Sequence, residues 1–482
     1  MTPSKRPTIS EILDISSVAI IGVSPSMGYY WAYSMLQWEH DLKIWLVSPR
    51  GGEVLGRKIL TSMEEIPEKV DYAIIRVPFR YVPSVLRDCH KKGVKGVTIF
   101  TSGYSELGTE EGRNRERELK EILDETGIRA FGPNCMGLTY PKIGFAFVPT
   151  VKRLSGEVGF LSQSGGVAIA TYTAGVESGV GFSKVFSFGN QVDIKPQELL
   201  EFFLDDEQTS VVGAYIEGAK NGKEILTTLK NLAKKKPVVV LKGGRSAEGS
   251  RAASSHTGAL AGSSDIWSAV FRQSNVMTVK TLEEMVATLS IFSLSPKPKS
   301  RNVGLVAISG GASVIYTDLL IENGLNVPKT SDETIKKLDP LIQDVGTGLG
   351  NPIDLAADYY QDQTTSEVIH IVGEEPRFDS LIIEADVHNM YQVACIMDAQ
   401  DILIDYWEAM AIAGKKVVNE IKKPVLVSIP DVAYPMARAD AWKIFVKQGL
   451  PVFRNFNEAV NALSLVCDYH ETRDRRTSKT KP

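Results

Sequence analysis

Along almost the whole chain, short runs rich in β-branched residues alternate with longer stretches in which apolar and polar positions mix as they do on amphipathic helices. In the first 135 residues the apolar runs are SVAIIGVS, KIWLVSP, DYAIIRVP, GVTIFTSG and RAFGPN. This rhythm predicts βαβ units and a parallel sheet. A second set follows as EVGFLSQSG, KVFSFGN, VVGAYIEG and PVVVLKGG, and ends in the helix-like segment TLEEMVATLSIFSL. The Pro-rich, basic hexapeptide SPKPKS at 295–300 reads as a linker. A third set opens with NVGLVAISGG and runs through SLIIEADV, PVLVSIPD and LPVFRN. The expectation is an α/β chain of three tandem open-sheet domains, at 1–145, 146–294 and 301–467, with a tail at 468–482 too polar to pack and expected to fray. Open sheets of this kind collect ligands at the carboxyl ends of their strands, so the strand-to-loop transitions are the places to search.

Composition narrows the classes of function. A chain of 482 residues with 43% hydrophobic content can bury several cores. Its net charge of -4, with Lys and Arg interspersed among Asp and Glu, excludes the broad basic field that nucleic acid requires. No apolar run approaches the roughly 18 to 20 residues of a membrane span, and MTPSKRPTISEI lacks the core of a signal peptide, so a cytoplasmic location is expected. Cys89, Cys135, Cys395 and Cys467 show no CxxC spacing, which fits reduced thiols and neither a disulfide nor a zinc site.

Several strand ends carry candidate chemistry. VAIIGVSPSMGYYWA at 18–32 is a strand, a glycine turn and a helix start, an arrangement that aims backbone N–H groups and a helix dipole at a phosphate. The second glycine of the GxGxxG fingerprint is missing. The next strand ends in LVSPRG, offering Pro49 and Arg50 where an NAD site would present an acid to the ribose. A cation there suits a ribose phosphate, which leaves NADP or coenzyme A, with a ligand-free tight turn as the other reading. FGPNCMGL turns sharply and lets Asn134 offer a donor and an acceptor, although an ordinary loop reads the same. In LSQSGGVA a strand ends and a helix begins with unpaired N–H groups aimed at one point, as at an anion site. SFGNQVD and AYIEGA bring Asn190 and Glu217 toward the same rim, where a glutamate can also be a solvated charge.

The stretch GGRSAEGSRAASSHTGALAGS at 243–263 places His256 among small residues in a long loop. Such a loop can move and let backbone approach an anion. An imidazole carried on it can take up a phosphoryl group and pass it on, given a carboxylate on the other ring nitrogen, for which Glu217 is the candidate. The same pattern fits a histidine that caps the following helix.

Taken in order, GPNCMG, LSQSGGVA, SFGNQVDI, PVVVLKGGRS and ASSHTGALAGS, with GNPIDL at 350–355 and KQGLPVFRNFNEAVNALSLV near the end, resemble the α subunit of ADP-forming acetyl-CoA (acyl-CoA) synthetases, relatives of the succinyl-CoA synthetase α subunit. The resemblance covers nearly the whole chain. It implies a Rossmann-like CoA-binding domain followed by two flavodoxin-like ligase domains. Coenzyme A would lie on Gly22, Ser24, Met27 and Gly28, with Pro49 and Arg50, Val77 and Pro78, and Ser102 and Gly103 at later strand ends, and Asn134 near the thiol. Ser164, Gly165 and Gly166 would hold phosphate, His256 would be phosphorylated and Glu217 would steady it. Family members convert acyl-CoA and phosphate to acyl phosphate and CoA, move the phosphoryl group to histidine, and then to ADP. ADP or ATP, with Mg2+, belongs to an ATP-grasp module, for which this chain has no room after its third domain. An ATP-grasp β subunit is therefore expected, in an α2β2 assembly. The turn GVSPSMGYYW departs from the family in its aromatics and lack of a basic residue, which Arg76 and Arg80 around Val77 and Pro78 can supply. AISGGAS stands where relatives carry Ala-Gly-Gly-Pro-Gly, so the third domain is expected to serve mainly as an interface. Two rival readings are a CoA-binding regulatory subunit without turnover and an NADP-dependent oxidoreductase.

Overall fold

The computed structural model describes residues 6–218, 222–251, 264–342 and 347–479. Its strands form three open sheets. The first holds β1 (Ser17–Ile21), β2 (Lys43–Val47), β3 (Glu53–Val54), β4 (Arg57–Leu60), β5 (Tyr72–Ile75), β6 (Gly96–Ile99) and β7 (Arg129–Phe131), in the order β3-β4-β2-β1-β5-β6-β7. All pairs are parallel except the short β3–β4 hairpin. Strands β1, β5 and β6 are buried at every position, as expected of a sheet covered on both faces. The order reverses direction at β1 and β5, which creates a crevice at their carboxyl ends.

The second sheet holds β8 (Gly137–Thr139), β9 (Ser155–Ser162), β10 (Phe182–Ser187), β11 (Val211–Ile216), β12 (Val238–Lys242) and β13 (Met277–Val279), in the order β13-β12-β11-β9-β10-β8. Apart from the antiparallel β8, this is the flavodoxin order, with its switch point between β9 and β11. The third sheet, β14 (Val303–Ala307), β15 (Ile353–Asp354), β16 (Ser380–Glu384), β17 (Val425–Ser428) and β18 (Val452–Phe453), has the same order, β15-β14-β16-β17-β18.

The chain divides into two compact units, Met1–Val176 with Gly181–Leu282, and Glu177–Val180 with Glu283–Pro482. The first unit contains the first two sheets. There the Phe131 and Phe186 rings stack at 5.4 Å, and Arg129 Nε lies 3.0 Å from Asp193 Oδ2, so β7 and the loop after β10 are joined by both apolar and ionic contacts. The second unit is built on the third sheet. The helix Leu282–Leu294, attached to the preceding strands in the sequence reading, packs its Ala287 and Ile291 into one core with Val303, Leu305 and Leu463. The polar tail is also corrected. Residues Phe456–Lys479 form one helix in which Tyr469 is buried, and Arg301 Nε pairs with Glu471 Oε1 at 2.7 Å. A buried ring and a cation from 170 residues upstream hold what composition alone makes a frayed end. Among the described residues no helix is long and apolar enough to cross a membrane.

Candidate active site

The first unit contains one large cavity, about 1250 Å³, that runs from the switch point of the first sheet to that of the second. At the first end, β1 gives way to Gly22, whose φ of 92° and position leave no room for a side chain: a Cβ would lie 2.1 Å from the Arg76 carbonyl oxygen. The Gly22 amide donates to Val47 O at 2.9 Å, so the turn is fixed to β2 as well as β5. Ser24 accepts from the Ser26 amide at 3.2 Å, and Arg76 Nη2 donates to Ser26 Oγ at 3.3 Å, which draws a guanidinium over the turn. Met27 and Gly28 fall in the single turn Ser26–Tyr29 that precedes the helix Tyr30–Leu36. Pro49 and Arg50, exposed beyond β2, and Val77 and Pro78, beyond β5, complete this mouth.

Deeper in, the wall becomes apolar through Val77, Phe79 and Phe100, and Ser102 and Asn134 follow. Gly103 does not join them. Its amide donates to Glu106 Oε1 at 2.5 Å and its carbonyl accepts from Arg115 Nη1 at 3.0 Å, so its backbone is committed elsewhere. Asn134, in the left-handed region with φ 60°, donates its amide to Thr101 O at 3.0 Å and bridges the strand ends of the two sheets. Gly189 lies beneath it, where a Cβ would come within 2.3 Å of Pro133 O. Asn190 lines the cavity, but its side-chain nitrogen donates to Glu106 Oε2 at 2.6 Å and to Glu116 Oε2 at 3.1 Å. The Cys135 thiol is buried, which raises its pKa and removes it as a nucleophile.

At the far end, β9 stops at Ser162 and the helix Gly165–Glu177 begins. Ser164 Oγ accepts from the Val167 amide at 3.3 Å, and Ser164, Gly165 and Gly166 line the cavity with the first turn of the helix. Glu217 follows β11 directly opposite and is buried. Its amide and that of Gly218 both donate to Gln163 Oε1, at 3.0 and 3.2 Å, and its carbonyl accepts from Lys242 Nζ at 2.6 Å. The Tyr215 hydroxyl bonds to the Glu217 carboxylate; burial first, then that negative charge, raises the Tyr215 pKa. Burial lowers Lys242 to about 8 against the opposing pull of Glu217. The start of the helix dipole suits a phosphate-sized oxyanion, while the buried Glu217 carboxylate across the cavity suits a protonated or cationic group beside it.

Of the residues singled out from sequence, Gly22, Ser24, Pro49, Arg50, Val77, Pro78, Ser102, Asn134, Ser164, Gly165, Gly166 and Glu217 share this one cavity. His256 lies outside the described residues, in the segment 252–263. Residues that sequence reasoning passed over include Ser26, Thr61, Ser84 and Gln163. Thr61 follows β4, which reaches the wall only because β4 pairs with β2.

Residues 16–141 match the family described as CoA binding domain, and residues 155–292 match the succinyl-CoA ligase like flavodoxin domain. The chain is 33% identical to the α subunit of acetate–CoA ligase [ADP-forming] I of Pyrococcus furiosus, over 98% of this chain and 100% of that one. It is 39% identical to acetate–CoA ligase [ADP-forming] of Methanocaldococcus jannaschii, over 71% of this chain and 48% of that one, so it matches about half of that relative. In fold it is similar to the Ca. Korarchaeum cryptofilum dinucleotide forming acetyl-coenzyme A synthetase 1 in complex with phosphate and ADP, with a TM-score of 0.80 and 28% identity, covering 97% of this chain and 98% of that one.

Proposed function

The chain belongs to the family of ADP-forming acetate–CoA ligases, and from that premise we propose how its residues divide the reaction. It is an acid–thiol ligase α subunit that works on coenzyme A. Adenosine and phosphates of the coenzyme would lie at Gly22, Ser24, Met27, Gly28, Pro49, Arg50 and Arg76, its pantetheine arm along Val77, Pro78 and Ser102, and its thiol beside Asn134. Two features fit that group: Gly22 lets backbone approach a phosphate, and the wall changes from cationic to apolar along its length. Gly103, one residue past the wall, would support the Ser102 turn only.

Phosphate at the start of the helix after Ser164, with Gly165 and Gly166, would attack the acyl carbonyl, expelling the CoA thiolate and leaving acyl phosphate. His256 would then take the phosphoryl group on one ring nitrogen, releasing the organic acid, while Glu217 favours the imidazolium through the other. ADP or ATP, with Mg2+, would belong to an ATP-grasp β subunit in an α2β2 assembly. The α-subunit name of one relative, and the more than half of the other that lies outside its match to this chain, support that division. The carrying observation is that one cavity joins the arginine-bearing mouth to Glu217 and the Ser164 turn.

The test is labelling with acetyl-CoA and radioactive phosphate. The protein should take up an acid-labile, alkali-stable label at His256 and none in His256→Ala, which should still bind CoA. A stable label on another residue would refute the assignment.

A further inference from the structure

The second unit leaves a set of large apolar side chains uncovered on two adjoining turns. The helix Val387–Ile396 ends in Ile396, 85% exposed, and the chain continues through Met397, 66% exposed, into the helix Ile402–Lys416, where Ile402 is 58% exposed. The helix Ile402–Lys416 already buries Leu403, Tyr406, Trp407 and Met410 against its own sheet, so these outward aliphatics are surplus to the core. The Tyr391 and Tyr434 rings meet at 4.7 Å, which joins this corner to the turn before the helix Pro435–Lys447, where Val432 and Met436 are also exposed. Exposed apolar surface gathered in this way marks a contact site rather than ordinary scatter.

Charge says what kind of contact. From Phe378 to Gly414 the sequence contains no Lys or Arg, while Asp398, Asp401 and Asp405 are exposed at the corner and Glu408 follows one turn later. Arg438, on the neighbouring helix, is paired with Asp431. The surface is therefore apolar with an acidic rim, and its complement is an apolar face edged with Lys or Arg. A second copy of this chain, meeting the same patch across a two-fold axis, would set one acidic rim against another.

We propose that the surface formed by Ile396, Met397, Ile402, Val432 and Met436, with its rim of aspartates, docks an apolar, basic-edged face of the partner β subunit. This rests on the reading that the chain works with such a partner. The test is association of the full-length chain with its native ATP-grasp subunit, followed by light scattering during gel filtration. Met397→Ser with Ile402→Ser, and separately Asp401→Lys with Asp405→Lys, should each weaken assembly at least tenfold. CoA affinity should stay unchanged, because the proposed coenzyme site lies in the first unit, and the serine pair should keep its unfolding temperature, whereas lysines at the N-terminal turn of the helix Ile402–Lys416 oppose its dipole and should lower that temperature slightly. The charge-reversed form should also lose part of the salt dependence of assembly. Both variants assembling as tightly as the parent would overturn the proposal, as would parent chains that pair with each other through this patch. If the parent does not associate with the ATP-grasp subunit at all, the functional reading fails first and the docking surface with it.

Discussion

Glu217 ends a buried strand, and its neighbours on the same edge hold it: Gln163 takes the two amides at and after it, Lys242 takes its carbonyl, and Tyr215 bonds its carboxylate. A carboxylate fixed this way can act on an imidazole with little reorganisation. Glu217→Gln keeps the shape and removes the charge, so turnover should fall by roughly 10²-fold to 10⁴-fold, the range of acid–base partners, while CoA affinity measured by calorimetry stays level. Gln163 lines the same cavity and fixes the strand end that carries Glu217. Gln163→Leu strips two backbone amides of their acceptor, which should cost about 1–3 kcal/mol of unfolding free energy and lower kcat more than it raises KM. An unchanged kcat in that variant would show that the strand end holds itself. The place of Glu217 at a strand end was legible in the sequence, but its proposed role gained weight only with the family resemblance, because a glutamate there can equally be a solvated charge. Gln163 was legible only as part of a phosphate turn, since its amide reaches across to β11 through a pairing that no local pattern encodes.

The second and third sheets share one strand order and one turn, Ser164-Gly165-Gly166 after β9 and Ser309-Gly310-Gly311 after β14, yet they differ in charge. Ser187 pairs with Ser162 in the second sheet, whereas Asp354 pairs with Ala307 in the third. Tyr215 pairs with Ser162, while the corresponding place in the third sheet falls to Glu384, one step past the Val306–Ile383 pair. The third turn thus faces carboxylates, which suits it poorly to phosphate. Glu384 is raised to about 7, mainly by burial, with Asp386 and Asp354 adding to it and Tyr316 Oη, at 2.6 Å, opposing. Its folded pKa lies above the ordinary carboxylate value, so the folded state binds the extra proton and stability falls as pH rises from about 4.5 through 7. Glu384→Gln should leave thermal unfolding nearly unchanged at pH 4 and raise the stability of the second unit at pH 8, by about 3 kcal/mol at most. At this scale the alternation of strands and helices was readable throughout. The placement of the helix Leu282–Leu294 was not, because Met285 to Ile291 are buried without a break and an all-round apolar helix carries no face that names its sheet. The strands β3, β4 and the antiparallel β8 have two, four and three residues, too short to show a clear period.

Across the whole molecule, the question is where the phosphoryl group goes after it leaves the cavity. The described residues of the first unit gather the groups proposed for the acyl-phosphate stage in one cavity, between the proposed coenzyme mouth and Glu217. The chain matches only 48% of the Methanocaldococcus relative, and a nucleotide stage housed in the remainder would be supplied here by a second polypeptide. The two stages should therefore separate cleanly. Given acetyl-CoA and labelled phosphate, the isolated chain should release a single equivalent each of acetate and CoA and then stop, with the label held on His256. Adding ADP and Mg2+ should leave the label in place, because the proposed nucleotide site belongs to the β subunit. Adding the native β subunit should discharge the label as ATP and restart acetate release. Labelling should also become slower in Gly166→Ala, since a methyl group there meets only Ser164 Oγ at 3.9 Å and projects into open space at the helix start where phosphate would sit, while folding is undisturbed. ATP formed by the isolated chain would place the nucleotide site within these three sheets. Steady acetate release without any bound label would show that the phosphoryl group never rests on this protein.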